Sequence, residues 1–216
     1  MRIALINENS QAGKNQIVEA ALKKAAVPFG HIVFNYGMYS PEDEAQLNYI
    51  QVGVLASILL AAKAADFIVT GCGTGEGAML ACNSFPGLLC GHVTNPCDAY
   101  LFAQVNDGNC VSLPFAQGFG WGAELNLQYT FEKLFGTSGG QGYPQERAGI
   151  EQQNKKILDR VRANNFKDLA TCLQGLDQGL VKGAVAGKRF RELFFESCTD
   201  GPITDYVMTL VGRGSI

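Results

Sequence analysis

An apolar run that breaks abruptly into glycine constrains this chain more than any other stretch: Asp66-Phe-Ile-Val-Thr-Gly-Cys-Gly-Thr-Gly-Glu-Gly77. Phe67, Ile68 and Val69 read as a short buried parallel strand. Four glycines follow at alternate positions, Gly71, Gly73, Gly75 and Gly77. They let the backbone turn sharply and approach a ligand closely. The turn then opens a helix at Ala78 to Ala81, so N–H groups and the positive end of a helix dipole face whatever lies above the sheet. Such a place suits an anion or a developing oxyanion, with the thiol of Cys72 at its mouth.

The rest of the chain repeats the strand and helix alternation. Strands are expected at Arg2 to Ile6, His31 to Tyr36, Leu88 to Val93 and Asn109 to Leu113. Helices are expected at Asn15 to Lys24, with Ile17, Val18, Ala21 and Leu22 inward, from Ser40-Pro41 to about Ala64, from Asn95 to Gln104, and from Ala123 to Phe135. This order predicts an α/β fold: a five-stranded parallel sheet with helices on both faces, Rossmann-like, with ligands at the carboxyl ends of the strands. The centre of the second helix, Val52 to Ala62, is apolar nearly all round, so it should be covered on two sides, by the sheet and by a further element or subunit. After the connector Thr137 to Gly142 only helical patterns remain, at Gln145 to Val161, Phe166 to Gln174, Gly183 to Ser197 and Ile203 to Leu210. The expected division is an α/β body at 1–147 and a helical extension at 148–216, packed on the body or on a partner.

Composition sets outer limits. With 216 residues, 47% of them hydrophobic, the chain can bury a full core. A net charge of -3 with no basic run leaves no footprint for nucleic acid or an acidic membrane, and the apolar runs are too short for a leader or a span. Seven cysteines without a C-x-x-C pair predict reduced thiols and a cytoplasmic location. Only His31 and His92 are available beside them, and neither stands at ligand spacing from paired cysteines, so no metal is expected.

The glycine loop is not a dinucleotide fingerprint, because Glu76 takes the place of the third glycine and the loop follows the third strand, not the first. Nor is it a nucleophile elbow, since Thr70 and Thr74 flank Cys72 where glycines would stand. As a plain core residue Cys72 needs no further account; at a loop leading into a helix N-terminus its thiolate is favoured. Glu76 can serve as an acid or base, though a first-turn acid facing the helix dipole is the simpler reading. His92 on an apolar strand reads as a satisfied core residue, His31 as structural, and Phe119 and Trp121 as pocket lining or packing.

Cys72-Gly-Thr-Gly-x-Gly, followed by Ala81-x-Asn83 and Phe85-Pro-Gly87, resembles the loop of type B ribose-5-phosphate isomerases and the related galactose-6-phosphate isomerase subunits. Asn48-Tyr49 falls where that family has Asp-Tyr, Asp66 at the aspartate before its third strand, and Asn106-Asp107-x-Asn109 at its Asn-Asp-x-Asn. The resemblance covers about residues 1–150. It implies an aldose–ketose isomerase without cofactor, with Cys72 as the base that moves a proton between C1 and C2 through a cis-enediolate. Thr74 and the loop amides of Gly73, Gly75 and Gly77 would hold the enediolate oxygen. Glu8, Asn9, Tyr49, Glu76, Asn106, Asp107 and Arg147 are the implied substrate contacts. Family members are dimers with shared sites, so a homodimer acting on a small sugar or sugar phosphate is implied as well.

The departures bear on the substrate. Glu8-Asn9 replaces the family's Asp-His, and Val105 stands where its ring-opening histidine would be. Either Glu8, Glu76 or His92 opens a ring, or the substrate is already linear. One phosphate-binding arginine falls near Ala116 and Gln117, and of the later pair Arg147 remains while Tyr143 takes the other place. Arg147, Asn9 and Lys14 are left to hold an anion, and phosphorylated and unphosphorylated substrates both stay open. A sugar- or metabolite-binding protein that kept the fold without the chemistry is the alternative.

Overall fold

The computed structural model describes residues 1–212; the last four residues of the expected extension lie outside them. Five parallel strands, β1 (Arg2–Asn7), β2 (Ile32–Asn35), β3 (Phe67–Cys72), β4 (Cys90–His92) and β5 (Cys110–Pro114), form one sheet in the order β2-β1-β3-β5-β4. Side-chain alternation divides the core. Ile3 and Leu5 face one way with Val69, Val111 and Leu113, against α1 (Asn15–Ala26), α4 (Pro96–Leu101) and α5 (Ala123–Phe135). Ala4 and Ile6 face the other way with Ile68, against α2 (Tyr49–Ala61) and α3 (Glu76–Asn83).

The remaining helices are α6 (Ala148–Asn165), α7 (Leu169–Gln174), α8 (Gln178–Ala184), α9 (Phe190–Ser197) and α10 (Pro202–Val211). Leu173, Val181, Phe190, Phe194 and Val207 from α7 to α10 belong to the same buried cluster as Val52, Leu55 and Leu59 of α2. The second cover of the all-apolar helix is therefore the chain's own tail, so that helix gives no sign of a second subunit. Ser197 Oγ donates to Ala64 O at 3.1 Å and Thr199 N–H to Ala62 O at 2.9 Å, tying the tail to the turn after α2.

Three expectations need correction. The stretch from Ser40 to Leu47 is irregular, and α2 begins only at Tyr49, because Asn48 and Gln51 make a reciprocal capping box. Ile17 is exposed; the buried stripe of α1 is Val18, Ala21, Leu22 and Ala25. The helix expected over Gly183 to Ser197 is two helices broken between Ala184 and Phe190. At the amino edge, Arg2 makes a two-pronged ion pair with Asp66, 2.7 Å from Nη2 to Oδ1, while its Nη1 donates to Ser197 O at 3.0 Å. The Arg2 guanidinium holds the Asp66 carboxyl below its ordinary value. The resulting stability is present above the unfolded pKa of about 3.9 and is lost as pH falls through the lower folded value. Both partners are partly exposed, so Asp66→Asn is expected to cost only about 1 kcal/mol at pH 7. In denaturant titrations at descending pH, the difference from the parent should shrink once pH falls below the unfolded value and through the lower folded one.

Candidate active site

β3 ends at the carboxyl edge of the sheet, and its pairing continues past the strand: Phe115 N–H donates to Cys72 O and Ala116 N–H to Gly73 O, each at 2.9 Å. The turn reverses at Gly75, whose φ of +80° lies in the left-handed region that glycine tolerates. Two strands pin it. Ser112 Oγ donates to Gly75 O at 2.5 Å from β5, and His92 Nε2 lies 2.9 Å from Thr74 O at the end of β4. A carbonyl can only accept, so Nε2 is the donor in this contact.

Cys72 is 9% exposed. A methyl group on Gly77, in the first turn of α3, would sit 3.7 Å from Cys72 Sγ and 3.5 Å from the Tyr49 ring, so thiol, helix start and phenol converge on one spot. First-turn N–H groups have no acceptor inside their helix and are free to donate to an anion at this spot. Thr74 Oγ1 accepts the Glu76 N–H at 3.3 Å, which leaves its own proton free to donate. Glu76 is exposed in the first turn of α3, where its charge suits the dipole.

Glu8 follows β1, and since Asn7 pairs with Gly71 it stands level with Cys72. It is 3% exposed, with Oε2 accepting the Ser10 N–H at 3.0 Å and Oε1 the Ser10 hydroxyl at 2.5 Å. Asn9 is exposed, its N–H bound to Leu47 O at 2.7 Å. Lys14 reaches the same edge: Nζ donates to Gln11 Oε1 at 2.8 Å and to Phe115 O, and lies 4.5 Å from the centre of the Phe119 ring. Gln11 Nε2 would in turn be 4.0 Å from a methyl on Gly73.

Asn106, Asp107 and Arg147 lie elsewhere. Asn106 and Asp107 end the turn of π-helix after α4 and precede β5, at the opposite, amino edge of the sheet. Cys72 is level with Pro114 and Ile68 with Cys110, so four residues of strand, about 13 Å, separate the two ends. The Asp107 carboxylate packs instead beside Gly139 and Gly140. Arg147 is exposed just before α6, a helix that packs near Phe102 to Asn106. Other motif residues are structural: Asn83 brackets Cys90 through its N–H and C=O, and Asn109 ties Leu89 N–H to Gly87 O.

Sequence reading missed Ser112 and Gln11, and took His92 as a satisfied residue without seeing that its partner is the loop itself. Nothing in the spacing shows this, because the contact depends on β4 and β5 being neighbours. His92→Ala removes one tether of the Thr74–Gly75 turn; kcat is expected to fall about tenfold, with KM within about twofold, as a positioning role requires. Steady-state kinetics separates this from a substrate contact, whose loss raises KM.

A family model described as ribose/galactose isomerase matches residues 3–136, and a second, described as ribose-5-phosphate isomerase, matches residues 165–210. A solved 4-deoxy-L-threo-5-hexosulose-uronate ketol-isomerase, complexed with a tartrate, is 55% identical, covering 98% of this chain and 99% of its own, with a TM-score of 0.95. A ribose-5-phosphate isomerase from Vibrio parahaemolyticus is 50% identical over 98% of this chain and 99% of its own, with a TM-score of 0.94. The type B ribose 5-phosphate isomerase of Trypanosoma brucei, 18% identical, shares the fold over 74% of this chain and 97% of its own at a TM-score of 0.62. No curated protein sequence matches the chain. The likenesses that run the full length of the chain place it among the aldose–ketose isomerases. It belongs to the ribose/galactose isomerase family. Among the described residues, no helix is long and apolar enough to cross a membrane.

Proposed function

We propose that this isomerase interconverts an open-chain aldose and ketose that carry a carboxylate, with Cys72 as the proton-transferring base. The observation that carries the reading is the convergence of the Cys72 thiol, the N-terminus of α3 and the Tyr49 ring at the carboxyl edge of the sheet. The thiolate takes the proton from C2, the C2–H electron pair forms the C1–C2 double bond of a cis-enediolate, and the proton returns to C1 as the C2 hydroxyl becomes a carbonyl. Thr74 Oγ1 and the free amides of the loop face the enediolate oxygen.

Val105 has no proton to give a ring oxygen, which favours a substrate that is already linear. Lys14, an ammonium at this edge, suits one carboxylate better than a phosphate normally clamped by guanidinium groups. The relative at 55% identity acts on a hexosulose uronate and supports the same class; the one at 50%, a ribose-5-phosphate isomerase, is the competing choice. A homodimer is part of the proposal: Asn106, Asp107 and Arg147, too far from Cys72 in their own chain, complete the site of a second copy. α6 supports it by leaving Ile150, Ile157, Leu158 and Val161 exposed along one side, with no residue of the helix buried. In this reading residues 148–216 extend a body of residues 1–147, and seven free thiols suit a reducing cytoplasm.

Hydrogen–deuterium exchange at C2 should be at least 100-fold faster in kcat/KM with an open-chain hexosulose uronate than with ribose 5-phosphate, about 2.7 kcal/mol of discrimination. A reversed preference would overturn the carboxylate. Val161→Glu on α6 should lower the mass seen by light scattering and remove activity together; an active monomer would refute the shared site.

A further inference from the structure

Three cysteines far apart in the sequence meet inside the core. Cys82 lies in the last turn of α3, Cys90 opens β4 and Cys110 opens β5. Parallel pairing sets Cys90 and Cys110 side by side in register, so their side chains leave the sheet on one face. α3 packs on that face and brings Cys82 to them. All three sulfurs lie within 4.8 Å of one another, Cys82 and Cys110 at 0% exposure and Cys90 at 6%. The segment joining α3 to β4 is clipped at both ends, by Asn83 on Cys90 at 2.8 and 3.0 Å and by Asn109 on Leu89 at 2.8 Å, so the triangle is held before any ligand arrives.

We propose that Cys82, Cys90 and Cys110 form a three-thiolate site for a soft trivalent ion of trigonal coordination, the class of arsenic(III). A planar three-thiolate site with bonds of about 2.3 Å has S···S edges of about 4.0 Å, and a pyramidal one has shorter edges. The cluster, with its sulfurs all within 4.8 Å of one another, is of that order of size. Among the described residues no histidine or carboxylate joins the group, so a tetrahedral ion such as zinc lacks its fourth protein ligand. Charge decides among soft ions. Three thiolates around a monovalent or divalent ion leave net negative charge in an apolar interior, which is costly; around a trivalent ion they leave none. The balance is plain: arsenous acid loses three hydroxides, each leaving as water with one thiol proton, three As–O bonds are replaced by three As–S bonds, and no electrons move. Binding would join α3 to β4 and β5 and stabilise the fold without involving Cys72.

The test uses arsenite on the reduced chain, followed by unfolding, alkylation and peptide mass mapping. Cys82, Cys90 and Cys110 should be protected together, and native mass spectrometry of Cys72→Ser should show one arsenic added with three hydrogens lost. Cys82→Ala in that background should weaken binding at least tenfold and leave a hydroxide on the arsenic. Protection confined to Cys72, Cys97, Cys172 or Cys198, or unchanged binding by Cys82→Ala, would overturn the site. Should Cys82→Ala fail to fold, mapping of the unsubstituted chain decides alone.

Discussion

Cys72→Ala is expected to lower kcat for C2 proton exchange by roughly 10³-fold or more, while the affinity for an unreactive hydroxy acid stays within about threefold. The asymmetry follows from where the sulfur lies. Only a methyl's width separates it from the start of α3 and from Tyr49, so alanine there leaves the neighbouring backbone unmoved and removes only the group that carries the proton. A loss of 10³-fold is about 4 kcal/mol of transition-state stabilisation, within what a positioned base contributes. Cys72→Ser should be nearly as inactive, because a hydroxyl is far less acidic than a thiol and is scarcely ionised at neutral pH. Exchange measured by NMR in D2O, beside calorimetric titration of tartrate as the hydroxy acid, reads both quantities. If the alanine variant exchanges within tenfold of the parent, Cys72 is not the base, and Glu8, level with it on β1, becomes the next candidate.

Much of this architecture was legible because the strands are short apolar runs stopped by glycine. α5 shows it best: the expected Ala123 to Phe135 is the observed helix, opened after Gly122 at a φ of +84° and closed at Gly136. The long second helix was misjudged because Ser40-Pro41-Glu also resembles a helix start, whereas the Ser40 hydroxyl only caps a local turn onto Glu42 N–H at 3.2 Å. The reciprocal Asn48–Gln51 box is the true start. At the site, the sequence showed the thiol and the loop, since both lie in one stretch. It could not show that Asn106 and Asp107 lie at the other edge of the sheet. They stand before the strand Cys110 to Pro114, which runs the length of the sheet, and Cys72 is level with its far end. The three-cysteine cluster was hidden for the converse reason: ligand spacing along a chain does not reveal residues gathered by adjacent parallel strands.

The glycines of the loop should separate stability from catalysis when each is replaced by alanine. Gly71 is in β3 between β1 and β5, paired with Asn7 on one side and Leu113 on the other. A Cβ there would come 2.3 Å from Leu113 O and 2.6 Å from the Phe115 ring. The first obstacle is the backbone of the paired strand, which cannot yield without opening the central ladder. Gly71→Ala is therefore expected to cost about 3–5 kcal/mol, a drop in Tm of roughly 8–15 °C for a chain of this size. Gly77→Ala is the counterpart, because its methyl would meet Cys72 Sγ and Tyr49 at ordinary van der Waals distances of 3.7 and 3.5 Å. It should fold within about 1 kcal/mol of the parent, helped by alanine's helix propensity, and yet lose at least tenfold in kcat/KM as the methyl occupies the space between thiol and phenol. Thermal unfolding and exchange kinetics on the same two variants give four numbers. If Gly77→Ala keeps full activity, the space between Cys72 and Tyr49 is not where the substrate binds; if Gly71→Ala unfolds with the parent, the close approach of β3 to β5 is not what requires glycine at that position.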